Sequence, residues 1–259
     1  MHFLVVFRMV PDVVEELEVA PGGKSLETEY LRMIASESDD HALEEALLLK
    51  ERHGGSVTVV AADAPELDDA LFSALAKGAD RVVKITGAEF GLSTSRMAGI
   101  VAATIRHTPG LLPADLILTG TQAIDDLDGL IAPLLGFHLG LPSLGIVTSV
   151  ECQPACGAAV VTREFPDGVR GQFEIPLPAV LGVQAAEKPP RYVPVAKVRA
   201  AMKSGRIEEV PAPEPAVAPS LEIVRMSKPV PLSHAEMLEG DPEMAAAELC
   251  KMLAGRGLL

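Results

Sequence analysis

The chain has no tryptophan, two tyrosines and seven phenylalanines among its 259 residues, so aromatic residues make up only 3% of it. Proteins that hold single-stranded nucleic acid by base stacking need such rings, and their scarcity argues against that function. Positive charge is also in deficit. There are 22 Lys+Arg against 36 Asp+Glu, a formal net charge of −14. An acidic surface releases no counterions from a phosphate backbone and is repelled by anionic lipid, so neither nucleic acid nor membrane insertion is expected. Cysteine is sparse: Cys152, Cys156 and Cys250 form an odd set without a disulfide framework, which points to a reducing, cytoplasmic location. Cys152 and Cys156 flank Pro154 without a further Cys or His nearby to complete four zinc ligands. Long apolar runs are missing too. The stretch FLVVF at 3–7 is too short for a signal-peptide core or a membrane span.

What is present is aliphatic. Hydrophobic residues reach 48%, enough to exclude a disordered chain and to build a sizeable core. Short, almost wholly apolar runs at 3–7, 56–62, 81–85 and 115–119 have strand length and β-branched content, as parallel strands covered on both faces do. Helix-like segments separate them, at 39–53 (stopped by Gly54 and Gly55), 66–77, 93–107 (capped by Ser93 or Thr94) and 128–139. The alternation predicts a doubly wound α/β domain around a parallel sheet. Further strands are expected at 145–150, 158–163, 171–175 and 179–183, with Pro166-Asp167-Gly168 as a hairpin turn: a small antiparallel excursion that returns to the sheet. Beyond it come a basic stretch, a proline-rich linker (PAPEPAVAP) and a last helix opened by Asp241-Pro242. The expected division is an α/β domain over 1–204 and, over 205–259, the linker and the C-terminal helix.

In open parallel sheets ligands bind at the carboxyl ends of the strands. No GxGxxG follows the first strand and no GxxxxGK[ST] occurs anywhere, so a dinucleotide fingerprint and a P-loop are both absent. The segment after the fourth strand, Gly120-Thr121-Gln122-Ala123-Ile124-Asp125-Asp126-Leu127-Asp128-Gly129, reads as a turn opening a helix, with Gly120 allowing close backbone approach. It has two readings: a helix start whose N–H groups bind an anion, or Asp125 and Asp128 as capping acids favoured by the helix dipole. A divalent cation on Asp125, Asp126 and Asp128 does not match calcium-loop spacing. His41 and Glu45 lie four apart on a helix without a third ligand and read as a solvated pair. Nothing forms a catalytic constellation, which favours a carrier or binding protein over a hydrolase.

Five stretches carry a resemblance: LVVFRMVPD at 4–12, DDHALEEALLLKE at 39–51, ALAKGADR at 74–81, GTQAIDD at 120–126, and LPAV at 177–180 followed by PPRY at 189–192. Together with GDPEMAAAELCKMLAGRGLL at 240–259, they make the chain resemble the β subunit of electron transfer flavoproteins, the family that includes the FixA proteins. The resemblance implies an adenine-nucleotide α-hydrolase-like fold and an electron carrier rather than an enzyme. The partner it implies is an α subunit that holds FAD, in a heterodimer that shuttles electrons from a dehydrogenase to a quinone oxidoreductase or another acceptor. In this picture the C-terminal helix docks on the α subunit. The alternative is a bifurcating member that binds a second FAD and oxidises NADH.

The resemblance also implies AMP, or a second FAD, at the carboxyl rim. The corresponding positions are Val6, Asp39 in the 36–39 turn, Ala62, Gly120, Gln122, Ala123, Ile124, Asp125, Asp126, Asp128 and Gly129. A partner-docking loop maps to Ala186, Glu187, Lys188, Arg191 and Tyr192. The chain departs from the family at several of these places. Ser36-Glu37-Ser38 replaces Asn-Pro-aromatic, Asp63-Ala64 replaces Gly-Pro, and Leu127-Asp128-Gly129 stands where the family offers Asn or Thr. Asp128 puts a carboxylate where a phosphate sits. Two such charges about 4 Å apart repel by about 1–4 kcal/mol, and each lost hydrogen bond to phosphate removes about 1.5–3 kcal/mol more. The convergence of Glu37, Asp63 and Asp128 on one rim predicts an altered pocket. In the docking loop, Ala185-Ala186-Glu187-Lys188 stands where the family presents a leucine, which has two readings: an ordinary solvated loop, or recognition of a different dehydrogenase partner by charge rather than an apolar anchor.

Overall fold

The structure, a computed structural model, describes residues 1–88, 93–214, 222–230 and 237–259, so part of the proline-rich stretch lies outside the described residues. The amino-terminal half alternates strand and helix: β1 (His2–Phe7), β2 (Met9–Pro11), β3 (Met33–Ala35), α1 (Glu37–His53), β4 (Ser56–Ala62), α2 (Leu67–Lys77), β5 (Arg81–Thr86), α3 (Thr94–His107), β6 (Leu116–Gly120) and α4 (Ile131–Leu139). Then follow β7 (Ser143–Gln153), β8 (Ala158–Glu164), β9 (Arg170–Pro176), β10 (Ala179–Val183), α5 (Val195–Ser204), β11 (Ile207–Pro211) and α6 (Pro242–Gly255).

Nine strands form one sheet in the order β11-β5-β4-β1-β6-β10-β7-β8-β9. Pairing is parallel from β11 to β7 and antiparallel through β7, β8 and β9. The expected excursion is therefore a three-stranded antiparallel flap, after which β10 returns between β6 and β7. The central strand β1 lies in register with both neighbours, Val5 opposite Val59 and Leu118. Residues 3–7 of β1 are all buried. That is the burial expected where helices cover both faces. Leu43 and Leu47 of α1 and Leu67 and Leu71 of α2 pack on one face, and Ile100, Val101 and Ile105 of α3 and Leu135 of α4 on the other. Each fully buried aliphatic side chain contributes about 1.5–3 kcal/mol relative to exposure.

Two features fix where a site can form. From β1 the chain builds outward through β4 and β5, and then β6 is added on the opposite side of β1. The switch point thus lies between the carboxyl ends of β1 and β6. At Arg8 the chain leaves the sheet and enters the two-stranded antiparallel ribbon of β2 and β3, which projects residues 12–32 beyond the rim. On the outer edge β11 pairs with β5, assisted by ion pairs from Arg81 to Glu208 and from Lys84 to Glu209. This strand, the ribbon and α5 are elements beyond those expected from sequence. At the far terminus α6 begins at Asp241, whose side chain accepts the Met244 N–H, and none of its residues is buried.

Candidate functional site

A cavity of about 910 Å³ opens at the switch point. Its floor comes from the strand ends Phe7, Arg8, Met9 and Ala62, and its walls from Asp63, Ser93, Thr94, Met97, Asp125, Asp126, Asp128 and Ile131. Leu26 and Leu31 reach it from the 12–32 projection, and Ile223, Val224 and Met226 from the segment that approaches the C-terminus. That segment is held by the Met226 N–H donating to the Gly23 carbonyl at 2.7 Å and by the pairs Lys24–Glu222 and Lys228–Glu16.

Arg8 organises the rim. Its Nε and Nη2 donate to the two oxygens of Asp39 at 2.9 and 3.2 Å, and its Nη1 donates to Asp126 Oδ2 at 3.2 Å. Asp39 also accepts the backbone N–H of Arg8 at 3.1 Å and that of Gly120 at 2.7 Å, and its side chain is fully buried. One carboxylate in the first turn of α1 therefore ties β1 to β6. Burial works against the Arg8 charge, but Asp39 and Asp126 outweigh it and raise the guanidinium pKa above its ordinary value.

Asp126 is equally engaged. Its Oδ1 accepts the Thr94 hydroxyl at 2.7 Å and the N–H groups of Asp128 and Gly129 at 2.9 and 3.2 Å. Burial would raise this carboxyl. The hydrogen bonds from Thr94, Asp128 and Gly129, with the Arg8 charge, hold it below the usual range instead. Asp125 has no comparable set of donors among the described residues, and burial pushes its carboxyl up.

The loop differs from the sequence reading in one respect. Helix α4 starts at Ile131 with Leu130 at its N-cap, so neither Asp125 nor Asp128 caps it. The turn made by the Asp126 side chain, with Gly129 at φ +61°, holds the backbone out of helical geometry until that point. Gly120 does allow a close approach, but Asp39 makes it. A Cβ there would lie 2.2 Å from Ser38 Oγ and 2.4 Å from Asp39 Oδ1. Ser93 occupies the N-cap of α3 without a side-chain cap bond, and its buried Oγ has no partner among the described residues.

Of the rim positions named from sequence, Ala62, Asp125, Asp126 and Asp128 line the cavity together. Val6 lies in the core below it, Ala123 is buried, and Ile124 faces solvent. Gln122 turns back on its own loop, donating from Nε2 to the Asp126 carbonyl at 2.7 Å. Asp39, Gly120 and Gly129 support the rim without lining it. Of the three acids read as converging, Asp63 and Asp128 do line the cavity, whereas Glu37 sits exposed at the start of α1. Arg8 and Thr94 were not among the rim positions expected from sequence, where Thr94 stood only as a candidate helix cap. The signal for Arg8 was its place directly after the first strand, at the carboxyl end where ligands bind.

The docking loop named from sequence is anchored on α1. The Ala186 N–H donates to His41 Nδ1 at 3.1 Å and the Glu187 N–H to Glu45 Oε2 at 3.0 Å, while the Glu187 carboxylate pairs with Arg52. His41 and Glu45 are therefore loop anchors rather than a solvated pair. Arg191 grips Glu44 with Nε and Nη2, donates its backbone N–H to the same carboxylate at 2.9 Å, and reaches Glu51 at 2.7 Å. Lys188 and Tyr192 are left exposed on the outside of the loop.

A family profile described as "Electron transfer flavoprotein domain" matches residues 25–215. The chain is 33% identical over 199 residues to an electron transfer flavoprotein subunit beta of Clostridium acetobutylicum, an alignment covering 76% of this chain and 74% of that one. It is 26% identical to the subunit of the same name from Methylophilus methylotrophus, over 98% of both chains. To that of Bacillus subtilis it is 27% identical, over 98% of this chain and 97% of the other.

Proposed function

The chain belongs to the electron transfer flavoprotein family as a β subunit, and from that premise we propose that it pairs with an FAD-carrying α subunit as a soluble, cytoplasmic electron carrier. The heterodimer takes electrons from a dehydrogenase and passes them to a quinone oxidoreductase or another acceptor. The observation that carries this reading is the loop 185–192. Five α1 side chains, His41, Glu44, Glu45, Glu51 and Arg52, hold it in place, and Lys188 and Tyr192 are presented outward. A loop fixed by its backbone and displaying a few free side chains suits a docking element, because little ordering entropy remains to be lost on binding. The flavin supplies the electron chemistry. This chain's residues position the partner, and Arg8, Asp39 and Asp126 tie the strand ends and the loop at the switch point together.

Residues 1–204 are proposed as the α/β body and 205–259 as an extension, which starts with β11 on the sheet edge and ends with α6 docked on the α subunit. The absence of any buried residue in α6 supports that docking. A second reading is a bifurcating subunit with its own FAD. The volume of the rim cavity, about 910 Å³, is what favours it, since it reaches the upper range of ligand sites. Co-expression with the α subunit and a flavin count by absorbance tests both. One FAD per heterodimer, reducible by a dehydrogenase, is the expected result. Two FAD per heterodimer would establish the second reading, and a chain that forms no flavin-bearing heterodimer would overturn both.

A further inference from the structure

The rim cavity sits where the family resemblance calls for AMP or a second FAD, and its donor set does not suit a phosphate. A phosphate at a turn between a strand and a helix is held by free backbone N–H groups and a cation. Here the N–H of Gly120 is taken by Asp39, and those of Asp128 and Gly129 by Asp126. The Gln122 amide is turned onto the loop itself. Arg8, the cation at the floor, is shared between two carboxylates of its own chain. The space beside Gly120 that a ligand atom would need is filled by Ser38 and Asp39.

Charge adds to this. Among the described residues the cavity is lined by the carboxylates of Asp63, Asp125, Asp126, Asp128 and Glu222, against the cations Arg8, Lys24 and Arg225. Lys24 is paired with Glu222. A phosphate monoester brings close to two negative charges at neutral pH and would meet Asp125 and Asp128 at the mouth with the buried cation already neutralised. The Ser93 hydroxyl, without a partner among the described residues, is neutral and suits a water or an uncharged group better than a phosphate.

We infer that in this chain the Asp126 carboxylate, and not that of Asp128 as expected from sequence, occupies the place of the nucleotide phosphate, so that the rim is completed by the protein's own anion and binds neither AMP nor a second FAD. The inference rests on the family membership and not on the electron-carrier reading. Its test uses the full chain in complex with its α subunit, denatured in acid, with released AMP and FAD counted by mass. In parallel, AMP is added to the full chain at ~1 mM while the melting temperature is followed.

The expected result is no AMP, at most the one FAD of the α subunit, and an unchanged melting temperature. Asp126→Asn keeps an oxygen acceptor for Thr94 and the two N–H groups while releasing one arm of Arg8. Asp128→Asn removes charge at the mouth and breaks none of the ion pairs seen among the described residues. Together they are expected to tighten AMP binding at least ~10-fold. Should the double variant fold poorly, Asp128→Asn alone is expected to give a smaller gain in the same direction. Stoichiometric AMP or a second FAD in the wild-type complex overturns the inference, as does a folded double variant with no gain in affinity. A complex without flavin but also without AMP overturns the electron-carrier reading and leaves this one standing.

Discussion

Burial pushes the Glu45 carboxyl up to about 7, with the nearby Arg52 charge opposing the shift. Its side chain is almost wholly inside, and Oε1 has no partner among the described residues. The folded chain therefore holds this proton more tightly than the unfolded one, where a glutamate titrates near 4.5. That contribution to stability is complete below pH 4.5 and is lost as pH rises from 4.5 to 7. Glu45→Gln is expected to be more stable than the parent at pH 8 by about 1–3 kcal/mol, with the difference vanishing near pH 4. Urea unfolding at the two pH values measures this, and equal midpoints at pH 8 would count against it. Gly120 makes the opposite case, because there the constraint is steric. A Cβ would also lie 2.7 Å from the Asp39 backbone nitrogen, so Gly120→Ala must displace the first turn of α1, at a cost of about 3 kcal/mol. Gly145→Ala, where a Cβ meets nothing within 4 Å, is the control and is expected to change stability by less than ~0.5 kcal/mol.

Elements held by side chains from elsewhere in the chain should loosen locally when those side chains change. Arg191→Ala leaves Glu44, whose side chain is 4% exposed, without its cation. The cost is about 2 kcal/mol, discounted because Arg191 itself is partly exposed. Amide exchange at Ala186 and Glu187 should quicken at least ~10-fold by the same arithmetic, and unchanged exchange would show that the loop does not need the clamp. On the sheet edge, Glu208→Lys with Glu209→Lys places cations beside Arg81 and Lys84. Exchange should then rise over residues 207–211 at a global cost of about 1 kcal/mol. These same elements show what the sequence could reveal. The inner strands were legible because strands covered on both faces read as unbroken apolar runs, as in FLVVF and SVTVVAA. By contrast β11 reads IEEVP, and its partners lie some 125 residues earlier. The ribbon strands β2 and β3 have three residues each, too few for a period. The rim was half legible: GTQAIDD marked the loop, but the Arg8–Asp39–Asp126 cluster joins three distant segments that only the sheet order brings together.

Taken whole, the molecule is a two-faced sheet whose N-terminal projection and C-terminal segment meet over one rim. The meeting is lightly held. The pairs Lys24–Glu222 and Lys228–Glu16 are exposed on both sides, and such pairs contribute about 0–1 kcal/mol. Slower exchange is expected at the Met226 amide than at residues 222–225, and ~0.5 M salt, which screens exposed charges, should leave that protection in place. Protection lost in salt would mean that the ion pairs, and not the Met226 hydrogen bond and the apolar contacts, hold the segment. At the other end, α6 is a 14-residue helix with Met244 and Leu249 open to water. Isolated helices of that length are marginal in water. Docking on the α subunit would then combine a coil-to-helix transition with burial of those side chains. Calorimetry of heterodimer formation should show a large negative heat-capacity change. Truncation after residue 240 should shrink that change while leaving the unfolding of the α/β body as it was.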